Sequence, residues 1–238
     1  MTLTERLRTL LLDMGADLAG FGDVSGLAPD GYKTAVVAAI ALPPEIIDDI
    51  PVGPTPAYAD LYDRYNRRLD DMSNAAAALL EQEGYRALPM TRANSPWDHD
   101  RLTSPFPHKT AATAAGLGWI GKCALLVTPE YGSALRLTVT LTDAPLETAP
   151  PVTTSRCGSC TACMDACPAN AIQGNLWEAG MPRTALVDVS ACQQTAGDLS
   201  QKTLGRRATI CGRCFAACPY TKAYVNRVRV DKNNRETE

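Results

Sequence analysis

The sequence predicts an α+β fold followed by a small cysteine-rich module. Apolar runs bounded by Gly, Asp and Pro occur together with stretches of helical spacing through the first part of the 238 residues. Three prolines, Pro145, Pro150 and Pro151, then mark a boundary, and eight of the nine cysteines follow it. We therefore expect one domain over residues 1–150 and a second over residues 151–238.

Hydrophobic periodicity assigns the elements of the first half of the chain. Leu3, Leu7, Leu10 and Leu11 recur at helical spacing and predict a helix over residues 2–14. A longer helical pattern closes at Gly84, as a helix C-cap would. The other elements predicted here are strands over residues 16–24, 34–42 and 85–90, a proline-rich loop over 43–56 and the long helix over 58–83.

The stretch over residues 91–107 is polar and turn-rich, which is typical of an active-site loop. An alanine-rich helix is expected over residues 109–115. Two strand patterns, over 120–128 and 134–142, are joined by Pro-Glu-Tyr-Gly and predict a β-hairpin. The charged tail from Val225 predicts a solvated, frayed terminus.

The cysteine count raises the question of redox compartment. The N-terminal stretch carries charges inside its apolar run, unlike a signal peptide, and no run of 18 apolar residues could span a membrane. We therefore expect a cytoplasmic, reducing location, where cysteines serve as metal ligands more often than as disulfides. The net charge of −3 gives no general affinity for polyanions.

The first cysteine run consists of Cys157, Cys160, Cys163 and Cys167, with Pro168 following. This C-x2-C-x2-C-x3-C-P spacing is that of bacterial ferredoxins with two 4Fe–4S clusters. Three thiolates of one tight loop bind three irons of a cluster, whereas the fourth cysteine serves the other cluster. The proline suits the first turn of a helix, where its missing N–H is not needed.

The second run, Cys211, Cys214 and Cys218, lacks the member that a full run would have at Ala208. Cys192 can replace it, because it lies between the two runs and is otherwise unassigned. The predicted ligands are therefore Cys157, Cys160, Cys163 and Cys218 for one cluster, and Cys167, Cys192, Cys211 and Cys214 for the other.

Two C-x2-C pairs, Cys157/Cys160 and Cys211/Cys214, would also fit a zinc ribbon. That alternative leaves four cysteines and two Cys-Pro steps unexplained, so we favour two 4Fe–4S clusters. The ninth cysteine, Cys123, falls in a predicted strand and is interpreted as a buried core thiol.

Gly116, Gly118 and Gly121 form a G-x-G-x-x-G pattern, and Asp143 follows at a distance where a ribose-binding acid would lie. A dinucleotide-binding fingerprint follows a strand and opens a helix. The predicted order is reversed here, because a helix precedes the glycines and a strand follows them. We therefore interpret them as a sharp helix-to-strand turn, which leaves open a contact with a bulky cofactor.

Longer stretches of the sequence resemble the epoxyqueuosine reductases, a family akin to the reductive dehalogenases. They comprise His108–Lys122 with its AlaGlyLeuGlyTrpIleGlyLys block, ValThrProGluTyrGlySer at 127–133, ThrAspAlaPro at 142–145 and the first cysteine run. Residues 58–89 are also similar to small members of this family, so the similarity covers nearly the whole chain.

The resemblance implies a nitroreductase-like, cobalamin-binding α+β domain and a bacterial ferredoxin-like double 4Fe–4S module that delivers electrons. It also implies that no histidine binds below the cobalt. The chain has only His99 and His108. Because an imidazole titrates near neutrality, we expect His108 to be the proton donor, with hydrogen bonding at a helix N-terminus or to the cofactor as the alternative. The predicted cofactor-binding residues are Lys109, Gly116, Gly118, Trp119, Gly121, Lys122 and Tyr131.

The sequence departs from the family at two points. The aspartate that the family uses as a proposed proton donor falls at Leu102, counting back from Gly116. The family enzymes also continue into a C-terminal helical repeat domain that helps to hold tRNA, whereas this sequence stops at Glu238. We therefore expect a small member without that domain, with tRNA as an unlikely partner.

The favoured hypothesis is an oxidoreductase that takes electrons from an external flavodoxin or ferredoxin. Two 4Fe–4S clusters pass them to cobalamin, which reduces a small substrate. The alternative is an electron carrier or reductive activator of a partner corrinoid protein, and epoxyqueuosine reduction on tRNA is least favoured. Six basic residues lie around the second cysteine run. They could recognise RNA, dock an acidic electron donor, or be ordinary surface residues: Arg206, Arg207, Arg213, Lys222, Arg227 and Arg229.

Overall fold

The first helix forms as its sequence predicts. The Thr2 hydroxyl accepts a hydrogen bond from the Glu5 N–H, and the Glu5 carboxylate accepts one from the Thr2 N–H. This capping box satisfies two donors that the first turn leaves without helical partners. Leu7 and Leu11 are buried on one face of the helix.

The computed structural model describes residues 1–95, 98, 102–104 and 106–236. Its helices are α1 (Leu3–Asp13), α2 (Pro44–Asp49), α3 (Pro56–Gln82), α4 (His108–Ala114), α5 (Ala162–Asp165), α6 (Val189–Leu204), α7 (Arg213–Ala216) and α8 (Pro219–Glu236). Its strands are β1 (Leu18–Asp23), β2 (Thr34–Ala41), β3 (Ala87–Pro89), β4 (Trp119–Ile120), β5 (Leu126–Val127) and β6 (Leu135–Thr142). Part of the predicted active-site loop, including His99 and Asp100, lies outside the described residues.

The chain divides into two compact units, neither of which is one continuous stretch. The first comprises Met1–Ala41, Asp63–Gly118 and Arg136–Thr153, and the second comprises Leu42–Tyr62, Trp119–Leu135 and Thr154–Glu238. The predicted division into a corrinoid-binding domain over residues 1–150 and a double 4Fe–4S domain over residues 151–238 remains a prediction.

The first unit is built on a four-stranded sheet in the order β1-β2-β6-β3. β1 and β2 are antiparallel, with Leu18 opposite Ala39, and β3 and β6 are antiparallel, with Ala87 opposite Thr142. All eight residues of β2 are buried, which explains its uninterrupted apolar sequence. The core beside the sheet contains Leu7, Leu11, Phe21, Val36, Ile40, Leu69, Met72 and Leu80 among others.

The second unit combines a short hairpin with the helices of the C-terminal region. β4 and β5 pair antiparallel, with Trp119 opposite Val127. The Tyr224 hydroxyl of α8 donates to the Leu42 carbonyl at 3.1 Å, and the ring of Phe215 meets that of Tyr58 edge-on at 5.9 Å. Segments before and after residue 150 therefore pack together in this unit.

The structure confirms the type of each helix and strand predicted within residues 2–90, and it confirms the helix predicted over 109–115. The predicted loop over residues 43–56 is wrong, because it contains α2 and a 3-10 turn at Ile50–Val52. The segment is rich in proline, but Pro44 occupies the first turn of α2, where proline is well tolerated.

Three further predictions fail in the second half of the chain. The strand predicted over residues 120–128 is interrupted by a turn in which the Ala124 N–H donates to the Gly121 carbonyl at 2.8 Å. The expected pairing of this segment with 134–142 does not form, because β6 lies between β2 and β3 instead. The charged tail is helical in α8, and Tyr224 and Val225 anchor it because both side chains are buried. No described helix has the length and apolarity to cross a membrane.

Candidate functional site

The first cysteine run is arranged by tight turns and one short helix. The Cys160 N–H donates to the Cys157 carbonyl at 3.1 Å. α5 then carries Cys163, and the Cys167 N–H donates to the Met164 carbonyl at 3.0 Å as α5 ends. Successive cysteines are thereby presented by one small loop, which is what cluster ligation by closely spaced thiolates requires.

The second run repeats this arrangement. Gly212 has a φ of 88° and leads into α7, which carries Cys214. The Cys218 N–H donates to the Phe215 carbonyl at 3.2 Å, and Pro219 begins α8 directly afterwards. Pro219 therefore lies in the first turn of a helix, whereas the helix predicted after Pro168 in the first run is wrong, because residues 168–169 form a turn instead.

Cys192 is brought to this region by the first turn of α6. Asp188 caps the helix, since its carboxylate accepts from the Ala191 N–H at 2.9 Å. The Cys192 N–H donates to the Asp188 carbonyl at 3.1 Å. The lining of one cavity of the second unit includes Cys167, Cys192, Cys211 and Cys214 together with mostly apolar residues. These four are the predicted ligands of one cluster.

The predicted ligands of the other cluster are also neighbours. Cys218 lies near enough to Cys157 and Cys163 for their charges to interact, and Cys160 belongs to the same loop as the latter two. The structure therefore brings together members of each predicted set, while the ligand assignment itself remains a prediction.

The thiols of the predicted ligands lie in surroundings of low polarity. Burial raises the pKa of Cys211 and Cys218, which are half-buried, and raises that of Cys192 although part of this residue is exposed. Cluster irons bind thiolates, so cluster assembly at these residues releases protons. The wall of the cavity around Cys192 is mostly apolar. Such a wall suits an iron–sulfur cluster better than it suits an isolated metal ion, because the charge of a cluster is spread over its irons, sulfides and thiolates.

The prediction that Cys123 is a core thiol is wrong. The residue lies in the turn between β4 and β5, and it lines the same cavity as the four cysteines. Its thiol lies close enough to those of Cys163 and Cys214 for these groups to affect the pKa of Cys123. Hydrogen bonding with Cys123 and burial raise the pKa of Cys163 well above its ordinary range. Sequence periodicity missed this position, because the contacts join residues far apart in the chain.

The glycine pattern forms the helix-to-strand turn that was predicted. α4 ends at Ala114, Gly116 has a φ of 70°, and the Leu117 N–H donates to the Ala112 carbonyl at 3.1 Å. β4 begins at Trp119, so a helix precedes the glycines and a strand follows. This order is the reverse of a dinucleotide-binding fingerprint.

Four of the predicted cofactor-binding residues, Trp119, Gly121, Lys122 and Tyr131, belong to the second unit. Lys122 is only 7% exposed, and its Nζ donates to the Cys160 carbonyl at 3.0 Å. A Cβ at Gly121 would lie 3.6 Å from the Cys157 sulfur. The Tyr131 ring meets Tyr224 edge-on at 5.1 Å. The AlaGlyLeuGlyTrpIleGlyLys block therefore reaches the first cysteine run.

Trp119 has a buried donor. Its ring is 1% exposed and lies edge-on to Tyr220 at 5.0 Å, with the Arg156 guanidinium 5.6 Å from the ring centre. The indole N–H and the Ser133 hydroxyl are buried, and the described residues offer neither a hydrogen-bond partner. Donors in this state are usually completed by a bound group or by water.

The remaining predicted residues, His108, Lys109, Gly116 and Gly118, belong to the first unit. His108 begins α4, and its Nδ1 lies 3.3 Å from the Leu137 carbonyl oxygen. Burial lowers the pKa of His108. This effect is larger than that of the hydrogen bond to the Leu137 carbonyl, which raises the pKa. The histidine is therefore neutral near pH 7, with Nδ1–H donating to the carbonyl. Its role as proton donor remains a prediction.

Acidification should destabilise the protein through His108. The folded-state pKa is lower than the unfolded value of about 6.5, so the unfolded state binds more protons, and stability present above this pH is lost as the pH falls toward the folded pKa. Replacing His108 by Gln, which can donate to the same carbonyl without titrating, should weaken this loss. Anaerobic thermal unfolding at about pH 7.5 and about pH 5.5 measures it. Equal acid sensitivity of both proteins would contradict the expectation.

The position of the expected catalytic acid is occupied by Leu102. The residue has a φ of 52°, a backbone region rarely adopted by leucine. Beside it, Asp98 and Thr103 form an isolated antiparallel bridge, in which the Asp98 N–H donates to the Thr103 carbonyl at 2.8 Å. The side chain at position 102 carries no proton to donate.

The basic residues near the second cysteine run have partners of opposite charge or polarity in several cases. Arg207 forms an ion pair with Asp198 at 2.6 Å, and Arg229 forms one with Asp48. Arg227 donates to the Glu130 carbonyl. These contacts hold three of the six basic residues against the protein surface. The charges that were considered for binding RNA or an electron donor therefore also have partners within the protein.

Comparison with known proteins identifies the cysteine region. Residues 156–221 match the family model of the 4Fe-4S double cluster binding domain. The chain therefore carries a double 4Fe–4S module, as the cysteine spacing predicted, and the zinc-ribbon alternative is not supported.

Sequence similarity extends beyond this module. The chain is 31% identical over 192 residues to the epoxyqueuosine reductase of Listeria monocytogenes, an alignment that covers 79% of this chain and 48% of that protein. It is 34% identical over 123 residues to the epoxyqueuosine reductase of Bacillus subtilis, covering 50% of this chain and 30% of the relative. The chain thus spans about half the length of the first relative.

Solved structures show the same fold. A catabolic reductive dehalogenase in complex with 3-bromo-4-hydroxybenzoic acid matches 91% of this chain and 31% of its own, with a TM-score of 0.70 and 21% identity. An epoxyqueuosine reductase with an epoxyqueuosine-modified tRNA-Tyr stem loop matches 93% of this chain and 66% of its own, with a TM-score of 0.59 and 23% identity. The predicted α+β class with a ferredoxin-like module is confirmed.

These findings correct the favoured function. The hypothesis of a cobalamin-dependent reductase of a small substrate, with tRNA an unlikely partner, is wrong, because the named relatives are epoxyqueuosine reductases and a structural neighbour is bound to a modified tRNA stem loop. The hypothesis gave weight to the end of the chain, which says nothing about substrate. It also treated one position, Leu102, as decisive for the whole reaction.

Proposed function

From a chain that is epoxyqueuosine reductase-like in sequence and in fold, we propose an oxidoreductase that reduces epoxyqueuosine in tRNA, using two 4Fe–4S clusters and a bound cobalamin. The observation that carries the proposal is the similarity to an epoxyqueuosine reductase over 192 residues. An alignment of that length extends well outside the cluster module at residues 156–221. It therefore supports a shared reaction more than a shared electron carrier alone.

The cysteines of the second unit fit the two clusters. Cys167, Cys192, Cys211 and Cys214 share one cavity, and Cys218 lies near Cys157 and Cys163. We propose these groups, with Cys160, as the eight ligands. Reduction of an epoxide consumes two electrons and two protons, and each cluster transfers one electron at a time. Two clusters held by one module therefore match the electron requirement of one turnover.

The buried donors of the second unit support a further bound group. Trp119 Nε1 and Ser133 Oγ have no hydrogen-bond partner within the described part of the chain, and the amides around a cobalamin ring are acceptors of the required kind. Cobalamin, when bound, supplies a strongly reducing cobalt centre. Lys109, Gly116, Gly118, Gly121, Lys122 and Tyr131 remain proposed contacts of the cofactor.

Position 102 cannot supply the proton in this chain, because the residue there is leucine and not a carboxylic acid. His108 remains the proposed donor. In its neutral form the Nδ1–H donates to the Leu137 carbonyl, so Nε2 would first have to take up a proton before it could pass one to the substrate. The proposed electron source is an external flavodoxin or ferredoxin, which reduced viologen can replace in an assay.

The proposal predicts turnover of a defined RNA. Anaerobic protein with cobalamin and reduced viologen should convert an epoxyqueuosine-containing tRNA anticodon stem loop to the deoxygenated nucleoside, measured by mass spectrometry after nuclease digestion. A visible spectral change of cobalamin on mixing should report binding independently of activity. Protein that contains both clusters and binds cobalamin but leaves the epoxide intact would refute the proposed substrate. No spectral change and no heat of binding would refute the proposed cofactor.

A further inference from the structure

Lys122 is a buried cation beside the first cysteine run. Its side chain is only 7% exposed, and its Nζ donates to the Cys160 carbonyl at 3.0 Å. A lysine ordinarily keeps its ammonium in water, because burying a charge is costly unless partners compensate it. The function proposed above leaves this burial unexplained. The cysteines beside it belong to the predicted set that we call the first ligand set: Cys157, Cys160, Cys163 and Cys218.

The protein gives the Lys122 ammonium little compensation of its own. Within the part of the chain that the structure describes, the ion pairs join arginines to carboxylates, and Lys122 takes part in none of them. The Cys160 carbonyl accepts one hydrogen bond, whereas an ammonium has three donors and a full charge. A buried charge in this state needs an anion close by.

The turn that carries Lys122 lies against two members of the first ligand set. A Cβ built on Gly121 would be 3.6 Å from the Cys157 sulfur. The Cys160 sulfur is joined to its own carbonyl oxygen through three carbon atoms, so covalent geometry places it within about 8 Å of the Lys122 Nζ. The pairing of β4 with β5 holds both ends of the turn. The ammonium is therefore fixed close to the position of this cluster.

The cluster of the first ligand set would supply the missing anion. A 4Fe–4S cluster with four thiolate ligands is anionic, and reduction adds one more negative charge. A neighbouring positive charge therefore stabilises the reduced form more than the oxidised form, and the effect is larger away from water. The net charge around a cluster is one of the features that set its reduction potential.

We propose that the Lys122 ammonium is the counter-ion of the 4Fe–4S cluster held by the first ligand set, and that it raises the reduction potential of this cluster. The other cluster receives the smaller effect, because the hydrogen bond of Lys122 is to the first cysteine loop. A raised potential at one cluster biases an electron within the module toward it. This inference rests on the double-cluster module and holds whatever the substrate is.

Four variants separate the charge from the hydrogen bond. Lys122→Met keeps the length of the side chain without charge or donor, Lys122→Gln removes the charge and keeps an N–H donor, and Lys122→Arg keeps both. Lys222→Gln is the matched control, since it removes the same charge from an exposed side chain four positions after Cys218. The readouts are iron content and the midpoint potentials of both clusters, from anaerobic redox titration followed by electron paramagnetic resonance. Protein purified without added cobalamin is used, so no readout depends on turnover or on that cofactor.

We expect all four variants to retain about eight irons per chain. Lys122→Met and Lys122→Gln should each lower one midpoint potential, with about a tenfold shift of the reduction equilibrium, which corresponds to 59 mV for a one-electron step. The other potential should move less, and Lys122→Arg should remain near the parent protein. Lys222→Gln should leave both potentials nearly unchanged, because water and salt screen an exposed charge.

Several results would overturn the proposal. Unchanged potentials in Lys122→Met and Lys122→Gln would remove the charge as a determinant, and a shift in Lys122→Met alone would assign the effect to the hydrogen bond. Equal shifts of both clusters, or an equal shift in Lys222→Gln, would show a general effect of net charge. Loss of about four irons in both neutral variants would make Lys122 a residue of cluster assembly instead. If Lys122→Met fails to fold, the contrast between Lys122→Gln and Lys122→Arg still decides whether the charge is needed.

Discussion

Replacing Cys192 by Ala should halve the iron content of the anaerobically purified protein, from about eight to about four irons per chain. Cys192 shares a cavity with Cys167, Cys211 and Cys214, and it fills the position that Ala208 leaves without a thiolate. With only three protein thiolates, one corner iron of the cubane has no cysteine ligand, so we expect this cluster not to be retained through purification. The cluster of the other cysteine set should remain, with its own paramagnetic resonance signal.

The matched control is Gln194→Ala, which changes an exposed residue two positions along the same helix and should retain both clusters. The result also tests the role of Cys123, because that thiol lines the same cavity. If Cys192→Ala keeps about eight irons, Cys123 becomes the best substitute ligand and the assignment of Cys192 fails. Iron and sulfide analysis together with the resonance spectrum give the answer.

Replacing Gly132 by Ala should be among the most destabilising single changes in the second unit. Gly132 has a φ of 58°, and a Cβ there would collide with the Thr221 backbone N and lie 2.7 Å from its Cα. The Thr221 hydroxyl also accepts a hydrogen bond from the Ser133 N–H at 3.0 Å, so the two backbones cannot separate without losing it. Left-handed strain and overpacking together cost about 3–4 kcal/mol.

Gly205→Ala provides the matched control. Gly205 has a φ of 70° as the C-cap of α6, but nothing lies within 4 Å of a Cβ at this position. The control therefore has the backbone strain without the collision and should cost about 1–2 kcal/mol. In anaerobic thermal unfolding we expect a decrease of about 10 °C for Gly132→Ala and about 5 °C for Gly205→Ala. Equal decreases would show that the close approach to Thr221 has no energetic effect.

The features that could be predicted from the sequence are those that depend on residues close together in the chain. The two cysteine runs could be assigned because cluster ligands come from short loops whose spacing is visible in the chain. α1, α3 and β2 were predictable for a similar reason, since their periodicity is local. The reversed order around Gly116 also followed from local pattern, and the structure has the same helix-to-strand order.

The failures involve contacts between distant segments. Cys123 looked like a core residue of a strand, but a turn directs it toward Cys163 and Cys214. The charged tail looked frayed, yet Tyr224 reaches Leu42 and stabilises α8. Neither contact leaves a signal in a single sequence, because the partners are separated by tens to hundreds of residues.

Function was misjudged for a different reason. The fold and the clusters were inferred correctly, but the substrate was inferred from Leu102 and from the end of the chain. A residue that is missing at one position does not fix a substrate, because substrate choice depends on a whole binding surface. The similarity to epoxyqueuosine reductases corrected this step.

The composition of the second unit bears on how this module can be moved between proteins. Leu42–Tyr62 and Trp119–Leu135 pack with Thr154–Glu238, and they supply the Lys122 contact to the Cys160 carbonyl and the Leu42 contact to Tyr224. A fragment cut at the proline-rich boundary would carry all eight predicted ligands without the segments that support their loops. We therefore expect such a fragment to fold, and to hold its clusters, less stably than the whole chain.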